Sequence, residues 1–394
     1  MKISDVVLFR VNGHYTGSGY PFWDRSSGWL DIYPEFNVSP RPRPAVTPPE
    51  PISHVFVEVR SDEGVTGLYG PIQDRQAFII QKTLRPFLVG RDPLATELLS
   101  DQMQRLERSG LSGDHTAAVG PVDCALWDLK GKAWNQPVYR LLGGPTRASM
   151  PAYAGLYGFY KDAGYVAQVA REMKAKGFTA QKWYFRYGPA DGEEGRRKNL
   201  EQARAIREAV GEHYMLMFDV WMSWEAPYAI DMLKALAPLN PAWFEEPVPP
   251  RVGALKQIRE ATGVPIASGE HVHTRWQVKE LLTAGAVDFI QTNSNWAGGI
   301  TEQLNICALC SAFDVPVMQM GHSVIPELHV AAAQSPVVVP LLEIRTHGQV
   351  WHQHFFKPNY FPENGQVRIP DLPGLGLALD EDKIESRENL EFRA

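Results

Sequence analysis

From about residue 150 to residue 343, short β-rich runs alternate with longer amphipathic ones, and this pattern constrains the fold more than any other feature of the 394 residues. The runs that read as strands are 151–156, 180–184, 214–219, 242–245, 265–268, 287–292, 316–320 and 337–343, with helical patterns at 201–210, 229–236, 254–261, 277–284 and 301–313. Each helix carries the chain back to the same end of the sheet, so the strands must pair in parallel. A doubly wound sheet also obeys that rule. Seven or eight units within roughly 195 residues favour closure into a barrel, a (β/α)7β arrangement of the TIM type.

The N-terminal part is built differently. Residues 3–11, 54–60 and 66–69 read as strands, the last two joined through Asp62-Glu63-Gly64, and a helical pattern over 117–142 stops at Gly143-Gly144. This predicts an α+β capping domain over 1–145, the barrel over 146–345, and a polar, Pro-rich segment 346–394 returning to the cap. Residues 12–52 are rich in Gly, Pro and aromatics, among them Tyr15, Tyr20, Phe22, Trp23, Trp29, Tyr33 and Phe36. So long an irregular stretch with so many rings reads as an ordered lid over a site, with Trp29 a candidate substrate contact.

The formal charge is −6, from 39 basic and 45 acidic side chains without long runs of either sign, which argues against nucleic-acid or membrane-surface partners. Cys124, Cys307 and Cys310 are too few for a disulfide framework and suit a reducing cytosol; the Cys307/Cys310 pair reads as two small helix residues. The first nine residues lack a signal-peptide pattern, and the apolar stretch 328–342 is interrupted by Gln334, Ser335, Pro336 and Pro340. A cytoplasmic protein without membrane spans is the expectation.

Three of the strand patterns end in acids, Asp219, Glu245 and Glu270, at successive intervals of 26 and 25 residues. That interval is one strand, one helix and two loops, so the three carboxylates should converge on the C-terminal mouth of a barrel. Carboxylates so close need a cation, and oxygen donors with room for water and substrate suit Mg²⁺, with Mn²⁺ able to serve. The competing reading, that each acid caps the next helix, weakens when all three recur at one spacing.

The chain resembles the enolase superfamily, and within it the mandelate racemase subgroup and its L-rhamnonate dehydratases. The resemblance is carried by Val122-Asp123-Cys124-Ala125-Leu126-Trp127-Asp128-Leu129, Pro137-Val138-Tyr139-Arg140-Leu141-Leu142-Gly143-Gly144, Gly188-Pro189-Ala190-Asp191-Gly192 and Phe218-Asp219-Val220-Trp221. Trp243-Phe244-Glu245-Glu246-Pro247, Ser268-Gly269-Glu270-His271, Trp296-Ala297-Gly298-Gly299 and Pro373-Gly374-Leu375-Gly376 extend it over nearly the whole length. It implies abstraction of a proton alpha to a carboxylate with Mg²⁺ stabilising an enediolate, a mechanism the superfamily is known for. In dehydratases the beta-hydroxyl then departs and a 2-keto-3-deoxy sugar acid forms. Assembly of the relatives as dimers to octamers implies a homo-oligomer.

The sequence departs from the subgroup at the groups that move protons. The second barrel strand reads Lys182-Trp183-Tyr184 where many relatives carry two lysines, Asn293 falls where they carry the dyad aspartate, and Met320 where they carry the catalytic histidine. His322, two residues on, and Tyr184 are therefore the candidate acid and base. Lys182 is expected beside the substrate carboxylate, since a lysine inside a barrel needs an anionic partner. His271, Asn293 and Glu343 are expected to contact substrate, Glu343 at the position where the subgroup places an acid on the substrate carboxylate. Two rival readings stay open: a racemase or epimerase, and a sugar-acid-binding protein that has lost its base.

Overall fold

A computed structural model describes residues 1–17, 24–37 and 49–392. Three antiparallel strands, β1 (Ile3–Tyr15), β2 (Glu50–Ser61) and β3 (Thr66–Ile72), open the chain. The first two run longer than their sequence pattern suggests: Tyr15 pairs with Glu50 and Asn12 with Ser53, so both ends of the expected 12–52 lid are strand. Behind this sheet lies the helix Gly113–Ala133, buried along most of its length. The predicted helix over 117–142 is in fact two, because Asn135 takes a left-handed φ of 52° and Pro137 precedes a separate short helix, Val138–Leu141.

Eight parallel strands follow: β4 (Ser149–Leu156), β5 (Ala180–Tyr184), β6 (Met215–Asp219), β7 (Trp243–Glu245), β8 (Ile266–Ser268), β9 (Phe289–Thr292), β10 (Val317–Gln319) and β11 (Leu342–Arg345). Each pairs with the next, and β11 pairs with β4 to close the barrel. The eighth strand begins later than its apolar run. Val338 and Val339 donate their amides to the Ser335 carbonyl in a turn, and Pro340 has no amide to give, so the ladder starts only at Leu342.

The remaining strands are short: β12 (Phe356–Lys357) pairs with β14 (Ala378–Leu379), β13 (Gln366–Arg368) lies antiparallel on β4, and β15 (Ser386–Asn389) on β1. Two buried aspartates of the long helix stitch these layers. Asp128 accepts from the amides of Leu68 and Leu375 at 2.8 and 2.7 Å and from Lys132 at 2.6 Å; Asp123 accepts from the amide and hydroxyl of Thr301. Burial lifts the Asp123 carboxyl to about 7 against those hydrogen bonds. Cys124, Cys307 and Cys310 are free and buried. No helix among the described residues is long and apolar enough to cross a membrane.

Candidate active site

Alternation along the barrel strands builds the site in layers. Tyr153, Ala180, Met217, Trp243, Ala267 and Met318 pack together as an apolar plug inside the barrel. Two residues further along their strands, on the same inward side, come Lys182, Asp219 and Glu245, all fully or almost fully buried. Glu270 is three residues beyond Ala267 and would fall out of phase. Gly269 corrects this with φ 141°, where an added Cβ would sit 2.7 Å from the Gln291 carbonyl oxygen.

Lys182 stands among carboxylates. Its Nζ donates to Glu245 Oε2 at 2.6 Å and lies 3.1 Å from Asp219 Oδ2 and 3.2 Å from Glu343 Oε1. Those last two oxygens and Glu245 Oε1 make no hydrogen bond, so the contacts to Asp219 and Glu343 are close in charge but poorly aligned. Burial works against the Lys182 ammonium, yet Glu245 and Glu343 hold its pKa well above the ordinary lysine value. Glu343 also accepts the Gly321 amide at 3.0 Å, and it fits because Gly155 is bare: a Cβ there would collide with the carboxylate.

The acids are strained electrostatically. Burial, then Asp219, pushes Glu245 well above the carboxylate range; burial, then Glu246, pushes Glu270 to about 8; Asp219 is raised mainly by burial despite Lys182. Such a set disfavours its own ionised state unless a cation is supplied, and orphaned oxygens of Asp219 and Glu245 are available to one. A more compact group adjoins them. Among the described residues, donor atoms of Glu246, Glu270 and His271 lie within 4.8 Å of one another.

Glu246 had no role in the sequence reading, although it stands beside Glu245 in the same motif. It has a left-handed φ of 39°, is fully buried, and accepts His271 Nδ1 at 2.7 Å. Such backbone strain is the signal that marks it, and only coordinates reveal it. Burial alone would lower the His271 pKa, but Glu246 and then Glu270 raise it to about 9.

The opposite side of the mouth is neutral. Asn293 caps the turn Ser294–Ala297, its side-chain oxygen accepting the Trp296 amide at 3.0 Å, and its Nδ2 rests on the Met320 sulfur at 3.6 Å. The same sulfur accepts the His322 amide. The His322 ring packs between Trp296, at 4.6 Å, and His352, at 4.7 Å, its Nδ1 buried and unpartnered; burial, then Arg345, lowers its pKa to about 3. Tyr184 forms an aromatic wall with Tyr157, which in turn meets Trp221. Burial pushes the phenol well above 10 in spite of Lys182.

Residues 24–37 cover part of the mouth. The Ser27 amide donates to the Phe185 carbonyl, Arg186 to Asp24, and Asn37 to Asp191. Trp29 is 59% exposed on the turn Trp29–Ile32, with Tyr33 and Phe36 also exposed. Tyr20, Phe22 and Trp23 lie outside the described residues.

A capped parallel barrel whose strand ends gather buried acids around a lysine is the architecture of the enolase superfamily. A family model described as "Mandelate racemase / muconate lactonizing enzyme, N-terminal domain" matches residues 36–143, and one described as "Enolase C-terminal domain-like" matches residues 164–383. The chain belongs to the mandelate racemase/muconate lactonizing enzyme family. A putative L-rhamnonate dehydratase of Caldivirga maquilingensis is 35% identical over 402 residues, covering 97% of this chain and 96% of its own. The L-rhamnonate dehydratase of Saccharopolyspora erythraea is 33% identical over 400 residues, covering 96% and 97%. The crystal structure of rhamnonate dehydratase from Gibberella zeae complexed with Mg superposes with a TM-score of 0.83 at 30% identity, over 97% of this chain and 96% of that one.

Proposed function

We propose that this protein is a Mg²⁺-dependent hydro-lyase of acid sugars, removing the proton alpha to a carboxylate and expelling the beta-hydroxyl as water to leave a 2-keto-3-deoxy acid. The observation that carries this reading is the set of buried acids at successive strand ends, in a chain similar to L-rhamnonate dehydratases along nearly its whole length. Asp219, Glu245 and Glu270 would hold the cation, as hard oxygen donors that suit Mg²⁺ or Mn²⁺. When bound, the ion supplies positive charge for the substrate carboxylate as its neighbouring proton becomes acidic.

The chain's own groups divide the remaining work. Lys182, kept protonated by Glu245 and Glu343, adds a fixed positive charge and takes no proton. His322 has a buried, unpartnered Nδ1 and is assigned the alpha proton, a role that requires the negative charge of the bound substrate to raise its basicity from the low value that burial and Arg345 impose. Tyr184 and His271 both carry protons; the imidazolium, backed by Glu246, is the stronger acid and protonates the departing hydroxyl. The electron pair of the broken C–H bond becomes the new double bond, the C–O pair leaves with the hydroxyl, and the enol tautomerises to the ketone. Glu343 and Asn293 border the substrate carboxylate and hydroxyls.

The test is incubation of purified protein and Mg²⁺ with a panel of aldonic and aldaric acids, followed by assay for 2-keto products. Metal binding without product from any acid overturns the reading. A second reading, a sugar-acid-binding protein without turnover, is favoured by Asn293 being spent on a helix cap and on Met320. Calorimetric binding of a sugar acid with no solvent deuterium entering its alpha carbon would select it.

A further inference from the structure

Two arginines serve residues 24–37 and their seat on the barrel, and they are used in opposite ways. Arg25 grips Asp31 with both Nη atoms, at 2.7 and 2.6 Å, and donates again to the Phe36 carbonyl, so it braces the covering segment from within. Arg186 is fully buried and donates through Nε alone, to Asp24 Oδ2 at 2.8 Å. Its Nη1 and Nη2 have no partner. A buried guanidinium with four idle N–H bonds is expensive for a fold to keep, so a partner is wanted for them.

The position of Arg186 points to the source of that partner. Phe185 stacks outward on Phe218 at 5.0 Å and Trp224 at 5.7 Å, and its amide extends the ladder to the Asp219 carbonyl. Alternation therefore sets Arg186 on the inner side with Lys182 and Tyr184, one step nearer the opening. The adjoining segments carry further idle polar atoms: the hydroxyls of Ser26 and Ser27 on the covering segment, whose Ser27 amide bonds the Phe185 carbonyl, and of Ser223 on the loop after β6, all buried and all without a hydrogen bond. Gly188 makes room for the Ser27 hydroxyl, since a Cβ there would lie 2.9 Å from Ser27 Oγ. Asp24 already balances the Arg186 charge. Hydroxyl groups thus suit this corner better than a second carboxylate.

We propose that Arg186 reads the hydroxylated tail of the substrate, its Nη1–Nη2 edge donating to neighbouring hydroxyl oxygens with Ser27 and Ser223 beside it, while Asp24 links that contact to the seating of residues 24–37. The inference rests on the acid-sugar reading of the same mouth and narrows its substrates to acids bearing hydroxyls beyond the beta carbon. Arg186 is a binding residue and transfers no proton.

The experiment is calorimetric binding, with the Mg²⁺-loaded protein, of three ligands: a six-carbon aldonate, the corresponding aldarate, and a short 2,3-dihydroxy acid without the tail. Each is measured on the unaltered chain, Arg186→Met, Arg186→Lys and Ser27→Ala. The expected result is a loss of about 10²-fold in aldonate affinity for both Arg186 variants, with the short acid changed less than about threefold. Arg186→Lys keeps a cation for Asp24, so it decides the matter if Arg186→Met does not fold. Equal losses for long and short acids, or no tail preference in the unaltered protein, overturn the proposal; so does tighter binding of the aldarate through Arg186. Tail-dependent binding without any 2-keto product would sink the dehydratase reading and leave this one standing.

Discussion

The two sides of the barrel mouth handle charge in contrary ways. Strands β5 to β8 and β11 bring Lys182, Asp219, Glu245, Glu270 and Glu343 together in a buried group of close charges. Strands β9 and β10 end instead in an amide and a thioether in contact, followed by a histidine that its surroundings keep neutral. On the proposed reading, the contrast makes binding an anion and moving its proton separable parts of one site. The part that would stabilise charge has the acids the resemblance implies, and the part that would move protons would be rebuilt from other residues.

The sharpest way to break this comparison is on the charged side. Glu245→Gln should abolish calorimetric Mg²⁺ binding and lower dehydration by at least roughly 10³-fold, because it withdraws a donor from the ion and a partner from Lys182. Undiminished metal affinity would remove Glu245 from the site. Lys182→Met comes next. It strands three carboxylates beside an apolar side chain, so the metal-free protein should lose roughly 3–5 kcal/mol in urea denaturation, with part of the loss recovered in Mg²⁺. Unchanged stability would mean the carboxylates are already neutral there.

On the neutral side, His322→Gln should cost about 10²-fold in kcat/KM with little effect on Mg²⁺ affinity, the signature of a group that takes a proton. Equal activity would return the histidine to a packing role against Trp296. The acid limb of stability sharpens the same contrast. His329 is fully buried, accepts the Tyr139 amide at Nδ1, and has its pKa lowered to about 4, while that of His322 is lowered to about 3. Both are depressed below the unfolded value of about 6.5. At these two sites the unfolded chain therefore binds more protons between the two values, and the stability the rings contribute above pH 6.5 should drain away as pH falls toward 4, against the opposite contribution of the raised Asp123 and Glu270 carboxyls. An NMR titration that put either imidazole near 6.5 would show these rings exposed to water.

How much of this could be read from sequence follows from where each signal lies. The barrel strands were legible because period-two alternation and the acids that end three of them are local features, and β5 was placed to the residue at Ala180–Tyr184. The start of β11 was not, because the valines before it are apolar without being extended; a serine turn and a proline decide their path. The buried acids were legible as a spacing, whereas Glu246 was not, since its part depends on a strained backbone angle and on where His271 falls. Trp29 shows a related limit: aromatic content suggests an ordered segment but does not say which rings are covered, and this one is exposed. Arg186 was invisible because its interest lies in hydrogen bonds it does not make.

The smallest expected effect tests whether the neutral side can be turned back. Asn293→Ala removes the oxygen that accepts the Trp296 amide, and should cost about 1 kcal/mol as the loss of a helix N-cap. Asn293→Asp keeps an equally good cap acceptor but buries an unpaired charge, so it should cost at least roughly 1–3 kcal/mol at neutral pH. It also puts a carboxylate beside the Met320 sulfur, where a burial cost is offset by no cation on that side. Because Asn293 touches Met320 and not the His322 ring, the new carboxylate gains no imidazole to orient, and kcat should stay unchanged across the pH profile. A rise in kcat with a new basic limb would mean that His322 swings to meet residue 293. The two sides of the mouth would then differ by a rotamer, and the proton-moving half would be dormant in this chain.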